Sequence, residues 1–392
     1  MPARVTEVRI DGMRCFSDFS LRTPGLVVLI GENGVGKSTV VEACELLRRT
    51  TDSQFTTAVG GVHGGVRSLL RHGVNRLSLG VSIEGLLGSS KADYRIALAR
   101  EGGRLVIVDE QLVWDGSVVG SRGSTTSILD FKDGNVSRQQ SPSGESTFFS
   151  YVLQYPETHP MRAIRDALLG IEVFPPLPVT ARWASEGGPG SLVRLEQNAS
   201  LERRVGRFGS NLPGALLELR NEPARWERYL MLVRAGLGEE IENIVIGPGD
   251  TPLLTFGIKY RGDPLPVTSE SLSDGTVCVL TLLAILELRP PNRSLLVFDE
   301  PELHLHPSVI ALLADRFEAA GTDQSVVVST HADRFLDALR DPHRSAVVLE
   351  RSATGSRQVE LDPDRLKTWL GRYAGLGEIR RAGHLEDVKA AS

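Results

Sequence analysis

One run, Gly31-Glu-Asn-Gly-Val-Gly36-Lys37-Ser38, constrains this chain more than any other feature. It follows the apolar segment Leu26-Val-Val-Leu-Ile30 and opens a stretch of helix-forming residues. The expected local order is therefore strand, glycine loop, then a helix over roughly Lys37–Arg49. A loop of this kind turns backbone N–H groups inward around phosphates, and the helix N-terminus adds positive potential. Asn33, Gly34 and Gly36 form the cradle. Lys37 is expected to reach the β- and γ-phosphates of a nucleotide, and Ser38, followed by Thr39, to ligate Mg2+.

Three further segments carry chemistry. Ser294-Leu-Leu-Val-Phe-Asp299-Glu300-Pro301 is an apolar strand ending in two adjacent carboxylates; Asp299 is placed to hold the Mg2+ shell and Glu300 to address an attacking water. Leu272-Ser273-Asp274-Gly275-Thr276 precedes a mostly apolar helix, so Ser273 and Gly275 mark a helix cap and a second anion site. Val326-Val-Val-Ser-Thr330-His331 delivers a histidine just beyond a strand, on the sheet edge where ligands bind in open α/β folds.

The rest of the chain supplies the setting. Residues 4–30 read as two strands joined at Asp11-Gly12, the second being 26–30. Leu77, Leu79, Val81 and Ile83 alternate with small polar residues, as do Tyr94, Ile96 and Leu98, which predicts half-buried antiparallel strands. Residues 116–147 are rich in Ser, Gly, Gln and Thr and read as a mobile loop. Met161, Ile164, Leu168 and Leu169 have helical spacing. A loop at 184–191 leads to a helical stretch over about 211–235, then strands within 241–260. From 268 to 350 helix and strand alternate, which requires a parallel sheet with crossover helices. The expected fold class is α/β: a first lobe over 1–175, a helical insert over 176–250 and a second lobe over 251–392.

Taken in order, these segments resemble the ABC-type ATPases, specifically the RecF/SMC/OLD-like group. The glycine loop is similar to Walker A, 272–276 to the ABC signature, 294–300 to Walker B, and His331 to the switch histidine. Glu302-Leu-His304-Leu-His306-Pro307 resembles the D-loop of that group, and Ile10-Asp-Gly-Met-Arg-Cys-Phe16 its N-terminal strand. Gln154, in Val152-Leu-Gln154 before Pro156, resembles the Q-loop residue that senses the γ-phosphate through Mg2+. The resemblance implies an ABC-ATPase head with a P-loop parallel sheet, an antiparallel β lobe and a helical insert, using ATP and Mg2+. It also implies two heads packed head to tail as a homodimer or higher homo-oligomer, with each ATP between Walker A of one head and Ser273 and Gly275 of the other. Glu300 would polarise water and His331 would contact the γ-phosphate. Asp274 stands where many members carry Gly, and Asp is frequent there in the RecF-like group.

Absences narrow the reading. The chain between Ser38 and Leu272 carries no heptads, unlike an SMC protein, and no acidic cluster with metal-site spacing follows His331, so no nuclease domain is expected. No apolar run is long enough to span a bilayer, residues 1–30 lack a signal-peptide pattern, and three scattered cysteines make no disulfide framework. These features read as a cytoplasmic protein without a membrane partner. A net charge of −5 argues against a globally basic nucleic-acid coat protein while leaving room for a local basic path. Arg194, Arg203, Arg204, Arg207, Arg220, Arg225, Arg228 and Arg234 either contact a phosphate backbone or line a solvated helical face; Trp226 and Tyr229 beside them suit core anchors better than stacking platforms. His304 and His306 suit packing in the D-loop better than a metal pair. Two functions follow. In one, an ATPase whose dimer senses or clamps nucleic acid controls a separate effector, a nuclease or toxin, in antiphage defence or DNA repair. In the other, a slow-turnover scaffold holds or inhibits a protein partner.

Overall fold

The computed structural model describes residues 2–123, 127–131, 135–137, 146–150, 158–181, 192–198, 200–248 and 252–390. The N-terminal segment forms three strands rather than two: β1 (Arg4–Asp11), β2 (Phe19–Arg22) and β3 (Leu26–Ile30). The short β2 pairs antiparallel with β1, so that Val8 faces Leu21 and Ile10 faces Phe19. Helix α1 (Lys37–Arg49) begins at the predicted residue, followed by α2 (Phe55–Val62), which absorbs Gly60 and Gly61, and α3 (Val66–Leu69). Next come β4 (Arg76–Leu86), β5 (Ser90–Glu101), β6 (Arg104–Trp114), β7 (Ser117–Arg122), β8 (Ser127–Phe131) and β9 (Asn135–Ser137), all antiparallel in sequence order. Strands β7, β8 and β9 correct the expectation of a loop over 116–147. Main-chain pairing such as Gln111 with Ser121 forms this edge, and it asks little of side-chain hydrophobicity.

Helix α4 (Pro160–Leu169) leads into β10 (Ile171–Phe174). The predicted single helical stretch is two helices, α5 (Leu212–Arg220) and α6 (Pro223–Leu237), because Pro223 cannot continue a helix and starts a new one. A small sheet follows, β11 (Ile241–Pro248), β12 (Leu254–Tyr260) and β13 (Val267–Thr268). The chain then alternates α7 (Asp274–Glu287), β14 (Leu295–Asp299), α8 (Pro307–Asp323), β15 (Val326–Ser329), α9 (Asp333–Asp337), α10 (Pro342–Ser345), β16 (Ala346–Ser352) and β17 (Gly355–Val359). It closes on α11 (Pro363–Leu370) and α12 (Leu376–Arg381).

The second sheet has the order β10-β14-β15-β3-β16-β17, parallel up to β16, with β17 antiparallel at the edge. Its central strands β14, β15 and β3 are apolar on both faces, as strands covered on both sides must be. Val28 and Ile30 of β3, Phe298 of β14 and Val328 of β15 join one core with α5 to α8. Val27, Leu29, Val297 and Val327 join the other core with α1, α4 and the antiparallel sheet. Helix α1 therefore lies between two sheets, burying Val40, Val41, Ala43, Leu46 and Leu47. Truncating Leu46 or Leu47 to alanine would cost about 2–5 kcal/mol. That double confinement fixes the helix N-terminus against the carboxyl edge of the parallel strands. The loop at 184–191 and Gln154 lie outside the described residues.

Candidate functional site

Four strand ends meet at one edge. β3 delivers Gly31, β14 delivers Asp299 and Glu300, β15 delivers Ser329 to His331, and β16 carries Glu350 and Arg351 alongside. Gly36 sits at φ 111°, and a Cβ there would come within 2.6 Å of both Cys15 Sγ and the Phe16 ring. Only glycine fits, both for its backbone and for the close approach of the 13–16 turn. A cavity of about 440 Å³ results, lined by Asn33, Gly34, Gly36, Lys37, Ser38 and Thr39, by Glu300 and His331, and by Arg14 and Cys15.

Lys37 is nearly buried. Its Nζ donates to Gly31 O at 2.8 Å and Glu32 O at 2.9 Å, which folds the side chain back over the loop. Burial holds its pKa below the usual lysine value, against the opposing pull of Glu300 and, less so, Asp299; Arg380 adds to the lowering. A negatively charged phosphate would relieve that penalty. Ser38 Oγ donates to Asp299 Oδ1 at 3.3 Å, and Ser329 Oγ donates to the same oxygen. A hydroxyl beside a carboxylate is a hard-oxygen pair of the kind Mg2+ takes together with water and phosphate oxygens, so these residues fit that ion.

Glu300 lies beyond the strand end at φ 47°, a left-handed conformation that costs a non-glycine residue about 1–3 kcal/mol. Its N–H donates to Ser329 O at 3.0 Å, which anchors the turn and leaves the carboxylate partly exposed. His331 Nε2 stands 3.5 Å from Glu300 Oε1. The histidine loop is clamped from two sides. Glu302 Oε1 accepts from Thr330 Oγ1 at 2.6 Å, His331 N at 2.8 Å and Ala332 N at 3.2 Å. From α12, Arg380 Nη2 donates to His331 O at 2.6 Å while its Nε donates to Asp333 Oδ1 at 2.7 Å.

Arg14, Cys15 and Arg380 were not singled out by sequence reasoning, and Glu302 figured only as part of a pattern. Arg14 sits in the 10–16 segment noted for its resemblance, which was the one available signal; Arg380 offered none.

Ser273 and Gly275 do not line this cavity. Ser273 is exposed, and its Oγ accepts from Thr276 N at 3.1 Å, capping α7. A Cβ on Gly275 would meet His304 O at 2.7 Å, so this position must be small for the start of α7 to lie against the loop after β14. His304 has φ 69°, and the His306 ring caps α8 by accepting from Ser308 N at 3.4 Å. Among the described residues no group of three or more His, Cys, Asp or Glu side chains could hold a metal ion.

The arginines of 194–234 are largely engaged inside the molecule. Arg194 pairs with Asp274, Arg204 with Glu172, Arg207 with Glu45 and Arg228 with Glu287, and Arg234 donates to Ile241 O and Glu242 O. Arg203 reaches Glu218 and Arg225 reaches Glu222 at the surface. Trp226 and Tyr229 stack with centroids 5.5 Å apart, and Tyr229 Oη donates to Leu280 O in the core. The stretch is thus mainly a set of struts to neighbouring elements. Among the described residues no helix is long and apolar enough to cross a membrane.

The comparisons with known proteins bear on the family and the fold. The family model described as "AAA domain, putative AbiEii toxin, Type IV TA system" matches residues 26–337. An SMC head solved bound to the C-terminal winged-helix domain of ScpA superposes with a TM-score of 0.57 at 13% identity, covering 92% of this chain and 99% of that one. An SMC head domain with an extended coiled coil, solved bound to the C-terminal domain of ScpA derived from Pyrococcus furiosus, gives 0.53 at 12% identity, covering 94% and 99%. At such identities the likeness is one of fold. No curated protein matches the sequence. The family match spans most of the chain and the fold is like that of the SMC heads: this chain belongs to the family described as "AAA domain, putative AbiEii toxin, Type IV TA system".

Proposed function

We propose that the chain binds and hydrolyses ATP in the cavity at the carboxyl edge of the parallel sheet, and that two copies close head to tail over the nucleotide. The observation that carries this reading is a division of labour. Lys37, Ser38, Glu300 and His331 line one cavity and Asp299 bonds Ser38, whereas Ser273 and Gly275 start a different helix and do not line it. A second copy is the natural source of the missing anion-binding turn. The three segments 1–175, 176–250 and 251–392 are proposed to act as first lobe, insert and second lobe of that head.

In this reading the loop N–H groups and Lys37 hold the β- and γ-phosphates. Mg2+, when bound at Ser38 and Asp299, supplies neutralisation of the phosphate charge. Glu300 accepts a hydrogen bond from the attacking water and takes its proton, and His331, held by Glu302 and Arg380, donates to the γ-phosphate. Gln154 is proposed to report the γ-phosphate. We further propose that the ATP-closed assembly senses nucleic acid and controls a separate nuclease or toxin, in defence or repair. The internal engagement of the arginines in 194–234 moves any nucleic-acid surface away from that stretch.

The test is ATP turnover of wild type and Glu300→Gln, with and without DNA ends, while mass is followed by light scattering. Turnover that DNA stimulates, together with an ATP-trapped Glu300→Gln dimer, supports the reading. ATP-ordered assembly with negligible, DNA-blind turnover replaces it with a slow scaffold that holds a protein partner.

A further inference from the structure

Arg194 is 1% exposed, at the end of the turn Leu192–Arg194, and its whole guanidinium is spent on one task. Nε donates to Val179 O at 2.8 Å. Nη1 donates to Ser269 O and, at 2.8 Å, to Leu272 O. Nη2 donates to Asp274 Oδ1 at 2.7 Å. The contact is reciprocal, since Ser269 Oγ donates to Arg194 O at 3.5 Å. One side chain thus gathers three acceptors from the segment that leads into α7, on either side of Ser273, and leaves Ser273 itself exposed at the helix cap.

A guanidinium fork is suited to this because its donors are rigid and coplanar, so fixing it fixes the acceptors relative to one another. A buried cation also requires a counter-charge. Asp274 supplies it, which gives a physical reason for an aspartate where the commonest form of this motif has glycine.

We propose that Arg194 is a positioning residue, locked by Asp274, that sets the 273–275 turn to receive the γ-phosphate of a nucleotide held by a second copy of this chain. The inference rests on the head-to-tail reading above and goes further. Arg194 serves the partner's site, so its loss spares nucleotide binding within its own chain.

The test uses Arg194→Met, Asp274→Ala, and Lys37→Ala, which loses the phosphate grip but keeps the turn. Arg194→Met and Asp274→Ala, folded by circular dichroism, should bind a fluorescent ATP analogue as monomers with affinity unchanged within about twofold. Placed in the Glu300→Gln background, each should weaken ATP-driven dimerisation at least about tenfold. Arg194→Lys should remain impaired, because an ammonium keeps the charge without the fork. Mixing Arg194→Met with Lys37→Ala, each inactive alone, should restore roughly a quarter of wild-type turnover. Half of the dimers are then mixed, and each of those has one whole composite site.

A mixture as inactive as its components, made from folded chains, overturns the inference, as does loss of analogue binding by monomeric Asp274→Ala. A Glu300→Gln parent that fails to dimerise with ATP overturns the head-to-tail reading itself, so the two failures are told apart.

Discussion

The two ends of helix α1 make an instructive pair. At its start, Lys37 rests on two carbonyls, and the Glu300 carboxylate and the His331 imidazole are both partly open to solvent. At its end, Thr50 and the groups packed on it are closed in. Thr147 Oγ1 donates to Thr50 O at 2.5 Å, and the adjoining Phe148 N donates to Glu110 Oε1 at 2.9 Å. Glu110 also accepts from Tyr94 Oη at 2.8 Å and pairs with Arg122 at 2.7 Å; all three side chains are essentially inaccessible. The lesson is in where the bonding capacity goes. The far end uses it on the fold, stitching the segment before residue 150 to the antiparallel sheet, while the near end holds it in reserve for a visitor.

If that contrast is right, mutation should separate the two ends cleanly. The largest effect belongs to Glu300→Gln: turnover should fall by about 10²–10⁴-fold, with ATP binding and thermal stability retained, measured by phosphate release and nucleotide titration. Next is Glu110→Ala, which strands Arg122 in the core. It should cost about 3–5 kcal/mol of stability by denaturant unfolding, with turnover per folded molecule unchanged. Turnover lost in proportion to stability would show that the two ends are not separate.

A smaller effect tests the clamp on the switch loop. Arg380→Ala removes a charge-assisted hydrogen bond to His331 O and should lower kcat by roughly 10- to 100-fold while KM stays put, as expected from a contribution of about 1.5–3 kcal/mol. A change in KM alone would place Arg380 in ground-state binding instead.

The smallest effect concerns pH. Burial pushes the Glu110 carboxyl up to about 7, against the pull of Arg122 and the hydrogen bonds from Phe148 and Tyr94. The folded chain therefore keeps a proton that the unfolded chain releases, so this contribution is fully present below the ordinary glutamate range and is lost as pH rises through about 7. Stability should gain on the order of 1 kcal/mol between about pH 8 and about pH 6. Glu110→Gln, which cannot titrate, should flatten that slope.

The near end was legible in the sequence and the far end was not. Lys37 and Ser38 follow an apolar strand, and Asp299 and Glu300 end another, so local order alone placed them. Helix α1 occupies the stretch the sequence marks as helical, and the alternation of Leu77, Leu79, Val81 and Ile83 marks β4. What escaped depends on partners distant in sequence. Glu110 meets Arg122 across a hairpin edge that a Ser- and Gly-rich composition disguised as loop, and β2, at four residues, was too short to stand out. Arg194 and Arg380 carry no local signature; only the folded chain brings one to Asp274 and the other to His331.

The contact of Gly275 with His304 O has a temporal meaning. In a head-to-tail pair, the turn bearing Gly275 faces one nucleotide, while the loop bearing His304 runs on from the Glu300 that serves the other. With no room for even a methyl group between them, a shift at one would press on its neighbour. In such a pair a rearrangement after Glu300 at one site would be felt in the turn that closes the other, so the timing of the two openings would be linked even where each site works alone.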